Sequence, residues 1–193
     1  TGSFRFISSR QKLSNYIFNG EQNRILNLDW WMDSANINTI EFVYKHTNTT
    51  QTQTILKSSG SGGETLWDLR LVPSSTGNSS SFEFRLNNSL TGSLAIATNA
   101  VSMSTLYSTM TDGQLWNVML QRMTGSTSTN IINEYRLHSS LQEDSSIKTY
   151  NFATMSVSGG AATTTNNFAN QNWMSSGSRH ALSSSNLFVG EVF

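Results

Sequence analysis

The chain of 193 residues is long enough for one large domain. Its 12 basic and 12 acidic residues cancel, so it has no net positive charge to attract nucleic acid or an anionic membrane, and we expect neither as a partner. The absence of cysteine excludes disulfides, thiolate metal sites and cysteine redox chemistry. Charged residues account for only 12% of the chain, whereas Ser, Thr and Asn together exceed a third of it, and these short polar side chains oppose long helices and favour strands joined by turns.

The first part of the chain, residues 1–38, gives no clean periodicity and contains the aromatic stretch LDWWMD (28–33). We treat residues 1–38 as the N-terminal segment of one domain that spans residues 1–193. The longest apolar runs are only a few residues, far short of the ~20 that cross a bilayer. Thr1 begins neither a signal peptide nor an ordinary initiator sequence, which is compatible with a fragment of a longer protein.

From residue 39 onward, short runs with apolar side chains at every second position predict strands. Phe42, Trp67 and Phe84 each lie on the apolar face of such a run, and we expect all three in the core. The clearest runs are TIEFVYKH (39–46), WDLRLV (67–72) and SFEFRLNN (81–88), and weaker ones follow at 51–59, 93–103, 132–142, 148–159 and 186–193. Gly-, Ser- and Pro-rich pieces between the runs predict hairpin turns.

The stretch GQLWNVMLQRM (113–123) fits a strand or a helix when it is considered alone. Its neighbours favour a strand, entered through the turn TDG, with Trp116, Val118 and Leu120 facing the core. Only residues 103–113 could hold a turn of helix. About ten strands separated by short turns predict an all-β sandwich or barrel.

The order of these strands resembles the concanavalin A-like, laminin-G-like lectin/glucanase superfamily. The resemblance is carried by NTIEFVYKHTNTTQTQTILKSSGSGG (38–63), WDLRLV, FEFRL, DGQLWNVMLQRMTGS (112–126) and NEYRLHSS (133–140). It implies a jelly-roll β-sandwich of two antiparallel sheets. Val43 departs from the Trp that the family often has there, and EYRLHSS replaces the Asp-Gly turn of the family.

An enzyme of the glucanase type needs two carboxyl groups that face one glycosidic bond. The E-x-D-x-x-E arrangement of that family does not occur in this chain. Glu41, Asp68 and Glu83 stand alone on what the alternation makes the outer faces of strands, and we interpret them as solvated charges. We therefore predict that the chain is not an enzyme.

Metal and cofactor sites have little support in the sequence. His46, His138 and His180 are far apart and lack the spacing of a zinc site. DWWMD (29–33) offers two carboxylates, but no calcium-loop motif is present. We expect no cofactor, and calcium stays as an alternative because related modules use it.

A sugar-binding site needs an exposed aromatic face and a few amide or hydroxyl partners. Trp30, Trp31 and Trp173, the last preceded by Asn172, are the candidates, because they lie in segments that do not read as regular strands. Trp173 belongs to a long polar loop predicted at 159–185. The alternative is that these rings close the ends of the sandwich or are buried against a neighbouring subunit.

The Ser/Thr/Asn-rich, cysteine-free composition resembles that of tail, fibre and decoration proteins of tailed bacteriophages, including marine phages. We expect a non-enzymatic structural or adhesive module of a virion, which packs as a homo-oligomer or against other virion proteins. The alternative is a lectin module that recognises glycans on the host surface, and a glucanase ranks third.

Overall fold

The computed structural model describes residues 3–7, 13–17, 26–28, 39–46, 50–59, 65–87, 100–126, 131–159, 172–173 and 186–189. Nearly all of these residues lie in strands, so the predicted all-β class is confirmed. The strands are β1 (Ser3–Ile7), β2 (Leu13–Ile17), β3 (Leu26–Leu28), β4 (Thr39–Lys45), β5 (Gln53–Ser59), β6 (Thr65–Pro73), β7 (Ser79–Asn87), β8 (Ala100–Ser104), β9 (Ser108–Thr109), β10 (Leu115–Ser126), β11 (Ile131–Glu143), β12 (Ser146–Gly159) and β13 (Asn186–Val189).

Each clear run of the sequence is a strand, and strands β1 to β3 lie in the segment for which no strand was predicted. Residues 103–113 contain the short strand β9 and no helical turn. A search of the ranges given above finds no helix with the length and hydropathy that crossing a membrane requires.

A four-stranded antiparallel sheet has the order β12-β11-β10-β4. Trp116 on β10 lies opposite Tyr44 on β4 and Leu141 on β11. Because side chains alternate along a strand, Val118 and Leu120 share the face of Trp116, and all three are buried. The stretch at 113–123 is therefore the predicted strand, with the predicted face toward the core.

A larger antiparallel sheet has the order β3-β13-β5-β6-β7-β8, and β9 also pairs with β7. In its centre, Trp67 of β6 lies opposite Leu86 of β7, and Leu69 lies opposite Phe84. Strands β1 and β2 form a separate two-stranded sheet.

The two large sheets pack face to face as a sandwich. Phe82 of β7 contacts Tyr44 and Trp116 of the other sheet, with ring centroids 5.9 and 6.3 Å apart. Phe84 contacts Tyr135 of β11 in the same way at 5.7 Å. All six residues predicted for the core are buried: Phe42, Trp67, Phe84, Trp116, Val118 and Leu120. Full burial of such side chains contributes about 1.5–3 kcal/mol each.

Two tight turns determine which residues pair. Gly113, in the predicted TDG turn, has φ 86° and donates its N–H to the carbonyl of His46 at 2.9 Å. The turn between β11 and β12 consists of Asp144 and Ser145, with φ 49° and 62°. Positive φ at both central residues is the type I′ pattern, which matches the twist of a two-residue hairpin.

Candidate functional site

The outer face of the four-stranded sheet, opposite the core, carries three neighbouring rings. His138 of β11 pairs with Phe152 of β12, and Tyr150 lies two residues from Phe152 on the same side of β12. We call His138, Tyr150 and Phe152 the outer-face cluster. Tyr150 and Phe152 are 57% and 46% exposed. Leu115 and Met123 of β10 are also exposed on this face.

The rings of the outer-face cluster hold one another in place. The centroid of the His138 ring lies 4.6 Å from that of Phe152 and 6.0 Å from that of Tyr150. Nδ1 of His138 forms a hydrogen bond of 2.8 Å with the hydroxyl group of Tyr150. These contacts restrict the side chains of the cluster, which lowers the entropy that binding costs.

The surroundings of the cluster leave it without charge at neutral pH. Burial lowers the pKa of His138, and the nearby guanidinium of Arg136 lowers it further, so the imidazole is neutral. Arg136 itself forms an ion pair with Glu134. The adjacent outward positions hold the neutral side chains of Asn117, Met119, Gln121, Ser140 and Thr154.

Trp173, a candidate for sugar stacking, lies in the core. Its ring stacks on Trp67 with centroids 5.3 Å apart and contacts Phe84 and Tyr135 edge-on. The guanidinium of Arg122 lies 5.9 Å from the centre of the same ring. Trp173 is fully buried, so the prediction of an exposed ring at this position is wrong. The alternative interpretation, in which the ring closes the sandwich, agrees with its position.

Asn172 is also fully buried, and its side-chain Nδ2 donates to the backbone carbonyl of Asn87 at the end of β7. An amide used in this way holds the chain next to Trp173 against the larger sheet and offers no group to a sugar at the surface. The prediction of Asn172 as a sugar ligand is wrong for that reason. Trp30 and Trp31 lie outside the described residues.

The carboxylates considered for hydrolysis lie on different sheets. Glu41 is exposed on the outer face of the four-stranded sheet, whereas Asp68 and Glu83 belong to β6 and β7 of the larger sheet. The register places Asp68 opposite Arg85 and Arg70 opposite Glu83, so opposite charges meet across the two strands.

Asp68 is not the solvated charge that its isolation in the sequence suggests. It is 1% exposed and accepts a hydrogen bond of 2.9 Å from Nε of Arg85. Arg70 forms an ion pair with Glu83 and lies 3.9 Å from Asp68. Burial raises the pKa of Asp68, and the guanidiniums of Arg85 and Arg70 oppose that effect. Each carboxylate of this network is therefore already in an ion pair with a guanidinium.

The histidines considered as metal ligands, His46 and His138, are not brought together in the part of the chain that the structure describes, and His180 lies outside it. Within that part, no group of three or more His, Asp and Glu side chains could hold a metal ion. His46 is buried beside Tyr44, with ring centroids 6.0 Å apart, and His138 belongs to the outer-face cluster. Asp29 and Asp33, the calcium alternative, fall outside the described ranges.

The chain was compared with protein-family models, with curated proteins and with solved structures, and none of the three comparisons gives a match. The resemblance to the concanavalin A-like superfamily, and the jelly-roll connection of the strands, stay predictions from the order of the strands.

Proposed function

We propose that this chain is a non-enzymatic structural module of a virion and that it assembles by packing the outer-face cluster against a second copy of itself. The observation that carries the proposal is the exposure of the Tyr150 and Phe152 rings to water on the outer face of the four-stranded sheet. Aromatic side chains are enriched at the centres of protein interfaces, and exposed apolar patches on a sandwich mark such interfaces.

The contacts among the three rings of the cluster favour binding to a flat, complementary surface. The hydrogen bond between His138 and Tyr150 and the ring contact with Phe152 restrict the side chains before association. A partner that covers them removes apolar area from water and loses little side-chain freedom in doing so.

A second copy of the chain is a suitable occupant because the cluster is uncharged. Two identical charged patches would repel each other, whereas two neutral ring clusters can meet about a two-fold axis, the commonest symmetry of soluble oligomers. Arg136 does not change this balance, because Glu134 neutralises it. Lys45 and Glu41 on β4 and Lys148 on β12 give the same face further charges of both signs.

The virion part of the proposal rests on composition. A surface rich in Ser, Thr and Asn and poor in charge resembles phage tail, fibre and decoration proteins. Contacts made by uncharged groups persist at the high ionic strength that a particle released into sea water meets.

Sedimentation equilibrium of the purified chain tests the proposal. We expect a self-associating wild type, and we expect Phe152→Thr to weaken the association by about tenfold or more, about 1.4 kcal/mol. Leu106→Thr is the control, because Leu106 is a 77% exposed side chain between β8 and β9, outside the four-stranded sheet. A wild type that is monomeric at every concentration, or two variants that behave alike, would contradict the proposal.

Glycan binding is the second candidate, because two exposed rings beside neutral amide and hydroxyl groups also suit a sugar. The rings are Tyr150 and Phe152, and the polar neighbours are Asn117 and Ser140. A glycan array with wild type and Tyr150→Ala separates the candidates. Binding lost in the variant, by a chain that stays monomeric, would favour the lectin.

A further inference from the structure

The imidazole of His138 occupies the centre of the outer-face cluster in a way that suits only its neutral form. Nδ1 is bonded to the hydroxyl of Tyr150, and the ring lies against Phe152. Nε2 is buried and has no hydrogen-bond partner among the described residues. A neutral ring can leave this nitrogen bare, while the hydroxyl of Tyr150 accepts the proton of Nδ1.

Protonation changes the requirement at Nε2. The imidazolium carries a proton on each nitrogen, so Nε2 then needs an acceptor that the described surroundings do not provide. The faces of the Phe152 and Tyr150 rings attract a cation. They do not accept the Nε2 proton of His138, which lies in the plane of the imidazole ring. The charged ring is therefore poorly accommodated where the neutral ring fits.

The charged groups around His138 do not compensate the imidazolium. On its own strand, the nearest charges are Arg136 and its ion-pair partner Glu134. On β10 the opposing residue is the neutral Met119, and beyond it Glu41 on β4 is two strands away, about 10 Å. On β12 the ionisable groups on this face are Tyr150 itself and the cation Lys148.

We infer that protonation of His138 opens the outer-face cluster and releases the second copy of the chain, so that assembly reverses in acid. The imidazolium either leaves the rings to reach water, which breaks the bond to Tyr150, or stays and faces an identical cation across the two-fold axis. Both outcomes weaken the contact. The release of the copy rests on the proposed function, whereas the opening of the cluster does not.

The direction of the pH effect follows from burial. Because burial and Arg136 lower the pKa of His138 below its ordinary value, the folded chain takes up this proton later than the unfolded chain as the pH falls. The neutral cluster is therefore fully present at neutral pH, and it is lost on the acid side of about pH 6.5.

Two measurements on the whole chain test the inference. NMR spectra of the His138, Tyr150 and Phe152 rings, recorded in dilute solution while the pH falls from about 7.5 to about 5, follow the cluster itself. Sedimentation equilibrium at the two ends of that range follows the association. We expect the Tyr150 and Phe152 signals to change together with the titration of His138, and the association to weaken by about tenfold.

His138→Gln is the deciding variant, because its amide can still bond to the hydroxyl of Tyr150 but does not titrate. We expect its association to be the same at both pH values, while His46 and His180 remain in place as internal controls. An acid response that survives in His138→Gln, or ring signals that ignore the titration of His138, would overturn the switch alone. A wild type that is monomeric at both pH values would overturn the proposed function, and the release of a second copy with it.

Discussion

Trp173 contacts both sheets of the sandwich through a single side chain. It stacks on Trp67 of the larger sheet and meets Tyr135 of the four-stranded sheet edge-on, at 5.3 and 5.6 Å between centroids. Arg122, which is 3% exposed, places its guanidinium over the same ring. Burial lowers the pKa of Arg122, and the electron-rich ring offers this cation an attraction in place of water.

Replacing Trp173 with alanine is expected to lower the free energy of unfolding by about 3–5 kcal/mol, because the cavity would lie between two sheets that cannot both collapse into it. Urea unfolding followed by far-UV circular dichroism measures the change. Tyr107→Ala, which removes an exposed ring outside the outer-face cluster, is the control and should shift the same quantity by no more than about 0.5 kcal/mol. Equal effects of the two variants would contradict the position of Trp173 in the core.

The positions of individual rings were the hardest feature to predict from the sequence. Trp173 has no periodic neighbours, so no pattern marks it as buried. In β12, the alternation separates Tyr150 and Phe152 from Asn151 and Ala153 but does not say which set faces the core. The structure turns the small residues inward, where Asn151 donates a hydrogen bond to Ser108 and Ala153 packs against the core. The hydrophobicity of the side chains alone would have predicted that Tyr150 and Phe152 face the core.

At the scale of elements, sequence patterns predict long strands well and short ones poorly. The runs that became β4, β6, β7 and β10 contain three or more repeats of the two-residue period, which chance seldom produces. Strands β1 and β2 have five residues each and β3 has three, so each offers too few repeats to stand out. The sequence pattern did not predict the burial of Asp68 for another reason. Alternation assigns a residue to the outer face of a strand, but it does not show whether that face is covered.

The hairpin between β11 and β12 provides a test at this scale. Ser145 has φ 62°, a conformation that costs a residue with a Cβ atom more than it costs glycine. We expect Ser145→Gly to raise the free energy of unfolding by about 0.5–1 kcal/mol. Ser156→Gly on β12, where the backbone is extended, should lower it by about the same amount, and urea unfolding of both variants checks the pair. A loss of stability in Ser145→Gly would contradict the type I′ geometry.

At the scale of the whole molecule, a network of four charged side chains lies on the larger sheet, and the outer-face cluster itself is uncharged. Asp68, Arg70, Glu83 and Arg85 compensate one another on the larger sheet, away from the outer-face cluster. Self-association through neutral rings should therefore depend little on ionic strength.

Sedimentation equilibrium at low and high salt checks this expectation. We expect the dissociation constant of the wild type to change by less than about threefold between about 0.1 and 1 M sodium chloride, because the Debye length falls from about 10 to about 3 Å without affecting uncharged contacts. The salt series is run at pH 7.5, where His138 is neutral. A steep loss of association with salt would instead point to an interface held by ion pairs.

The place of Trp173 in the core also affects how the chain folds while the ribosome makes it. Trp67, Phe84 and Tyr135 emerge from the ribosome well before the indole that covers them. Until that residue is added, the nascent sandwich exposes aromatic surface of the kind that chaperones bind and that promotes aggregation. Ribosome-bound intermediates stalled before and after Trp173 should therefore differ sharply in their resistance to protease.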